Sequence, residues 1–204
     1  MKTRRKSGVS SLVELVVIVV IALLLAFGIQ AFLIKPYRIP SESMEPTLDI
    51  GQRVLVNRIG NRFSDPHVGE IVVFHPPSGA SSQTCGNSRQ GQGSDQACDT
   101  PTSGQSSQNF IKRVVAGPGD TITIVDGHVM RNGRLQPDGF TRPCGTSRAC
   151  NFRNPITIPK GSWFMMGDNR GASDDSRFWG PVPKRWIIGG AFFTYWPPGK
   201  IGPL

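Results

Sequence analysis

The sequence predicts a mainly β protein: an antiparallel, barrel-like domain behind one N-terminal transmembrane helix. Three observations carry that expectation. Residues 15–34 form an apolar run broken only by Gly28 and Gln30, with Lys2, Arg4, Arg5 and Lys6 just before it. Short runs of alternating or β-branched residues then recur from residue 52 onward, each closed by a turn signal. The 204 residues also include 24 Gly and 17 Pro, far too many for a helical bundle and suited to strands joined by turns.

The apolar run has the length of a span, since about 20 residues at roughly 1.5 Å each cross a hydrocarbon core of about 30 Å. Glu14 lies at its edge, where a carboxylate reaches headgroups and water. The basic cluster is expected to stay in the cytoplasm, which places the chain after Lys35 outside. This gives a cytoplasmic N-terminus at 1–10, an anchor at 11–35 and an extracytoplasmic domain at 36–204. Two other readings compete. The run resembles a cleaved secretory signal with Ala26-Phe27-Gly28 as the cut site, but is longer than the usual h-region of about 7–15 residues. It also resembles a pilin-like start at Gly8, although Glu14 stands one position too far along.

Beyond the anchor, Pro36 and Pro40 hold residues 36–40 extended. The polar, proline-punctuated stretch 41–48 reads as a loop. Strands are expected at 52–57, 70–74, 110–116, 121–125, 128–131, 161–166 and 187–193. Asp126-Gly127 and Asn132-Gly133 mark hairpin turns. Residues 78–109 are dominated by Ser, Gln, Gly, Thr and Asn, with almost nothing apolar to build a core, and read as a surface insertion.

The formal charge is +9. Five of the 23 Lys/Arg and one of the 14 Asp/Glu precede residue 36, so the exported part is also positive. That suits an anionic phospholipid membrane surface. No basic stripe with interleaved aromatics points to nucleic acid. Cys85, Cys98, Cys144 and Cys150 form no CxxC pair and have no histidine at metal-ligand spacing, so disulfides are expected and no metal or cofactor. Cys85–Cys98 with Cys144–Cys150 is the nearest pairing in sequence, but four cysteines allow three connectivities.

Common catalytic signatures are missing: GxSxG, HExxH, the Walker loop and the dinucleotide fingerprint. His67, His75 and His128 stand in turn-rich surroundings without a triad motif, which disfavours a histidine base. Three segments do stand out. They are Pro40-Ser41-Glu42-Ser43-Met44-Glu45-Pro46-Thr47, the stretch 110–120 beginning Phe110-Ile111-Lys112-Arg113, and the stretch 167–180 containing Gly167-Asp168-Asn169-Arg170 and Ser173-Asp174-Asp175-Ser176-Arg177.

Together, in this order and after an N-terminal anchor, they resemble the type I signal peptidases, the bacterial leader peptidases that use a Ser-Lys dyad. The strand at 70–74 after Gly69 also matches, and the likeness covers most of residues 10–196 outside the insertion. The resemblance implies an endopeptidase that removes signal peptides from exported preproteins at the outer face of the cytoplasmic membrane, after small-x-small sites. It implies Ser43 as nucleophile and Lys112 as general base, with the Ser43 N–H and the Ser41 hydroxyl as oxyanion hole. Ser173 would orient the lysine and Asp175 and Arg177 would support its loop, while Met44 would line the substrate pocket or, on an equal reading, simply pack in the core. Phe110 stands where some members carry tyrosine, so no hydroxyl acts there.

The chemistry is consistent with these roles. A serine hydroxyl needs a base, and a lysine in water, with a pKa of roughly 10.4, is charged and cannot act as one. Burial favours the neutral amine, and Lys112 stands among Ile111, Val114 and Val115. Without the companion segments, Lys112 and Arg113 read as an exposed basic pair. Rival readings are an inactive relative that binds partners at the membrane, a pilin-like subunit, and a self-cleaving Ser-Lys repressor, which would need a DNA-binding domain in place of the anchor.

Overall fold

The structure, a computed structural model, describes residues 8–142, 144 and 150–204. The basic residues Lys2, Arg4, Arg5 and Lys6 lie outside the described residues. Helix α1 (Gly8–Phe32) ends three residues before the expected anchor does, because strand β1 (Ile34–Arg38) takes over at once. Pro36 fits there because β1 is an edge strand, where a missing N–H costs no ladder bond. The apolar side chains at residues 12–27 are exposed on every side of α1. Among the described residues no helix is long and apolar enough to cross a membrane.

The rest is antiparallel β, as the alternation and turn signals indicate, and forms two sheets. The larger sheet has the order β1, β2 (Arg53–Asn57), β11 (Ile187–Trp196), β3 (Ile71–Phe74), β4 (Phe110–Ala116), β9 (Ser162–Met166) and β10 (Val182–Pro183), with β12 (Gly202–Pro203) on β11. The smaller runs β7 (Arg134–Leu135), β6 (His128–Arg131), β5 (Thr121–Val125) and β8 (Phe152–Thr157). Open edges at β1 and β10 leave the larger sheet unclosed. Seven strands fall where the alternation predicts them. The missed strand β8 contains Pro155 and an exposed run, and reads poorly as a strand.

Two hydrophobic clusters hold the sheets. One joins them, with Val72, Phe74, Val114 and Phe164 of the larger packed against Ile122, Ile124, Phe152 and Ile156 of the smaller. The other, on the opposite side of the larger sheet, gathers Ile39, Met44, Leu48, Val54, Val56, Ile71, Val73 and Ile111. A fully buried leucine- or phenylalanine-sized side chain contributes about 1.5–3 kcal/mol, so the loop at 39–48 is fastened by Ile39, Met44 and Leu48 beneath it.

Residues 78–109 are mostly exposed or half-buried, but a few of them pack against the domain. Ala80, Ala97 and Cys98 are buried, and Ala80 and Ala97 join the first cluster. Cys98 N–H donates to Arg177 O at 3.0 Å, and Gly91 leaves no room for a Cβ beside Phe178 O. Cys85 and Cys98 lie at disulfide distance with their Cα atoms 5.7 Å apart, and so do Cys144 and Cys150. The insertion therefore packs behind the turn α3 (Ser176–Trp179) through backbone groups and small residues, which composition does not reveal.

Candidate active site

Ser43 lies in a short 3-10 turn, Glu42–Met44, at the mouth of a cleft of about 630 Å³ lined by Tyr37, Arg38, Ser41, Phe110 and Lys112 among others. Ladder-like bonds from Ile39 N–H to Gln52 O and from Gly51 N–H to Ile39 O, each 2.8 Å, tie the base of this loop to β2. Met44 Cβ and beyond point into the core, since the residue is fully buried and is not among those lining the cleft. Met44, expected to line the substrate pocket, is placed in the hydrophobic cluster instead, because the turn exposes Ser43 by turning its neighbour inward.

Lys112 comes from the middle of β4, registered opposite Val72 of β3. Its Nζ donates to Ser43 Oγ at 2.5 Å, and both residues are buried. Burial pulls the Lys112 pKa from 10.5 down to about 8, against the opposing pull of the Asp175 and Asp174 carboxylates. The amine also stands 5.7 Å from the Phe110 ring centroid. Ser41 is exposed, and its hydroxyl donates to Ser43 Oγ at 3.3 Å.

The stretch 167–177 braces this pair. Asn169 N–H donates to Ser43 O at 3.1 Å, and its side-chain amide donates to Glu42 O at 3.2 Å. Gly167 is required where it stands: a Cβ there would collide with Ser43 O and with Ser173 Oγ. Ser173 therefore lies beside the Ser43 backbone, but its buried Oγ has no hydrogen-bond partner, so the expected bond to Lys112 is not formed.

Asp175 and Arg177 are both completely buried and paired in a fork, Nε to Oδ1 at 2.7 Å and Nη2 to Oδ2 at 2.9 Å. Burial raises the Asp175 carboxyl, but Arg177 and the Gly167 N–H outweigh it and leave its pKa below the ordinary value. The carboxylate also caps α3 by accepting from Arg177 N–H. Arg177 Nη2 donates further to Arg170 O and Ser173 O, at 2.8 and 3.0 Å. Breaking such a buried pair from one side costs about 3–5 kcal/mol.

Sequence reasoning missed two residues that frame the site. Arg113 forks onto Asp168, which also accepts from Thr47 of the loop that carries Ser43 at 2.5 Å. Asn169 holds Ser43 as described. The adjacency of Lys112 and Arg113 was visible, but not that they have separate partners. Among the described residues, no three His, Cys, Asp or Glu side chains are placed to hold one metal ion.

Comparison with known proteins shows what the chain is similar to. The family described as "Signal peptidase, peptidase S26" matches residues 12–196. A probable signal peptidase I-1 of Synechocystis sp. is 36% identical over 198 residues, covering 94% of this chain and 86% of its own length. Signal peptidase I of Leptolyngbya laminosa is 34% identical over 195 residues, covering 96% and 85%. A crystal structure of a signal peptidase I from Enterococcus faecalis is 22% identical with a TM-score of 0.39, over 62% of this chain and 97% of that one. The chain belongs to the signal peptidase family, peptidase S26. It is a type I signal peptidase, a serine protease that removes signal peptides from preproteins.

Proposed function

We propose that cleavage proceeds through Ser43 as nucleophile and Lys112 as general base. The observation that carries this reading is the buried 2.5 Å contact between Lys112 Nζ and Ser43 Oγ. With the amine neutral, the hydroxyl donates to Nζ across the same separation. Ser43 Oγ then attacks the scissile carbonyl carbon and its proton passes to Nζ. The developing oxyanion is held by the Ser43 N–H and the Ser41 hydroxyl, donors of a kind that contribute several kcal/mol to a transition state. Collapse breaks the C–N bond, and the leaving amine takes the proton from Lys112. Water, activated by the same amine, hydrolyses the ester and restores Ser43.

Substrates enter through the cleft beside β1, with small side chains at the first and third positions before the cut. The chain is anchored by α1 in the cytoplasmic membrane, with residues 36–204 outside as the catalytic domain. In support, the sequence carries an apolar run at residues 15–34, and α1 exposes the apolar side chains between Leu12 and Phe27.

The test is cleavage of a preprotein in lipid or detergent by wild type, Ser43→Ala and Lys112→Ala. Cutting after a small-x-small site by wild type, with both variants folded but inactive, supports the dyad. Full activity in Lys112→Ala eliminates it.

A further inference from the structure

We propose that a second, basic cavity beside the end of α1 binds the phosphate of an anionic phospholipid headgroup, gripped by Arg58 and Arg185. The proposal rests on the membrane-anchor reading of α1. The cavity, about 860 Å³, lies between the end of β2 and the start of β11 and shares no lining residue with the cleft at Ser43. Its polar wall includes Arg58, Asn61, His75, Lys184 and Arg185, and no Asp or Glu lines it.

The cations differ in what they already hold. Lys184 Nζ is paired with Asp65 Oδ1 at 2.5 Å. Arg58 and Arg185 are exposed and make no ion pair among the described residues. The Arg185 guanidinium lies over the Trp186 ring, 5.4 Å from its centroid, which leaves its edge donors open. Asn61 Nδ2 is buried without a hydrogen-bond partner, a third unused donor at the same wall. His75 Nδ1 is within 3.0 Å of Gln108 O, so only its other ring nitrogen is open to a ligand. Two guanidinium forks without carboxylates fit phosphate oxygens better than any neutral group.

Position favours a lipid over a free anion. Arg58 N–H donates to Leu33 O at 2.9 Å, one residue past the end of α1. The cavity is thereby fixed to the point where an anchor helix leaves the bilayer. There anionic headgroups lie within reach and attract basic side chains. Ile59 and Ile188 in the same wall offer apolar surface to the glycerol end of such a lipid. In phosphatidylcholine, by contrast, the choline cation offsets the phosphate.

The experiment titrates the full chain in neutral detergent with dispersed short-chain phosphatidylglycerol, phosphatidylcholine or inorganic phosphate, by calorimetry. Wild type, Arg58→Gln, Arg185→Gln and the double variant are compared, with peptide cleavage in the same detergent as a check on folding. Saturable phosphatidylglycerol binding, weakened about tenfold by each substitution with cleavage unchanged, is expected. Equal binding of phosphatidylcholine, or unaltered binding in the double variant, overturns the proposal. Inorganic phosphate binding as tightly as the lipid replaces the lipid site with a simple phosphate site and overturns it too. Dispersed lipid makes the result independent of α1 insertion. Failure of the anchor reading would instead show as release of the chain from membranes by alkaline carbonate.

Discussion

Asp168 takes both ends of the Arg113 guanidinium, at 2.9 and 2.7 Å, while accepting a third bond from Thr47 at 2.5 Å. Arg113 also faces the Phe140 ring at 4.2 Å. One residue earlier, Lys112 has no carboxylate in contact and keeps a depressed pKa. Two adjacent cations on β4 are thus given opposite tasks. One pairs with Asp168, which also holds Thr47 of the loop that carries Ser43, and the other is stripped of water beside Ser43, as the proposed base requires.

Replacing Asp168 by Asn leaves Arg113 without a counter-charge in a nearly closed site, and Thr47 with a weaker acceptor. We expect a loss of about 3–5 kcal/mol in stability. Denaturant melts of Asp168→Asn against wild type, with Arg113→Met/Asp168→Leu as the paired replacement, check this. The paired replacement should recover much of the loss. Equal destabilisation of both would show that the pair's charge is not the cause.

On the proposed mechanism, Lys112 should set the pH dependence of cleavage. With a pKa of about 8 it is mostly an ammonium at pH 7 and mostly neutral at pH 9. Activity should therefore rise as pH climbs through about 8, which kcat/KM measured across pH 6–10 reads directly. The stability side has the same sign. The unfolded lysine, near 10.5, binds its proton where the folded one has released it, so this residue's contribution improves from about pH 8 to 10.5 and is least favourable below pH 8. Lys112→Arg, which cannot deprotonate, should be inactive at every pH tested.

Gly167→Ala adds a methyl group where Ser43 O and Ser173 Oγ already stand. The nucleophile loop has to move, and a displacement of about 1 Å costs on the order of a hundredfold in rate. We expect that loss in kcat, with KM for a peptide changed much less.

Ser173→Ala removes a buried hydroxyl that has no hydrogen-bond partner. Folding stability should stay within about 0.5 kcal/mol of wild type, because no bond is lost. If the hydroxyl turns to Lys112 once substrate is bound, cleavage falls about tenfold and the pH profile shifts. An unchanged rate and profile would remove Ser173 from the positioning role.

Asp175→Asn exposes the dependence of the site on its buried pair. The carboxyl's pKa lies below its ordinary value, so its stabilising contribution is present above the unfolded pKa near 3.8 and fades as pH falls through the lower folded one. The variant should therefore lose stability at pH 7 but converge on wild type in strong acid, as thermal melts at descending pH would show.

The strands at 53–57, 71–74, 110–116, 121–125 and 162–166 were legible because alternation and β-branching express burial on one or both faces of a sheet. Ser43 and Lys112 were legible only through three separated segments in order, since neither residue type is distinctive by itself. Which of its two readings Met44 takes, and that Arg113 reaches Asp168, was not legible. Each depends on which neighbour a side chain meets across 50 or so residues of intervening chain, and hydropathy carries no such address.

The sequence by itself determined a β-rich domain behind an apolar N-terminal helix, a nucleophile loop and a lysine within a strand. Those follow from local properties: period, turn chemistry and residue type. Only the tertiary structure decided that β3, β4 and β9 lie side by side, that Lys112 is desolvated against Ser43, and that residues 78–109 pack behind Arg177. Burial, pKa and close approach arise from all the neighbours at once, and strand order, not any single segment, chooses those neighbours.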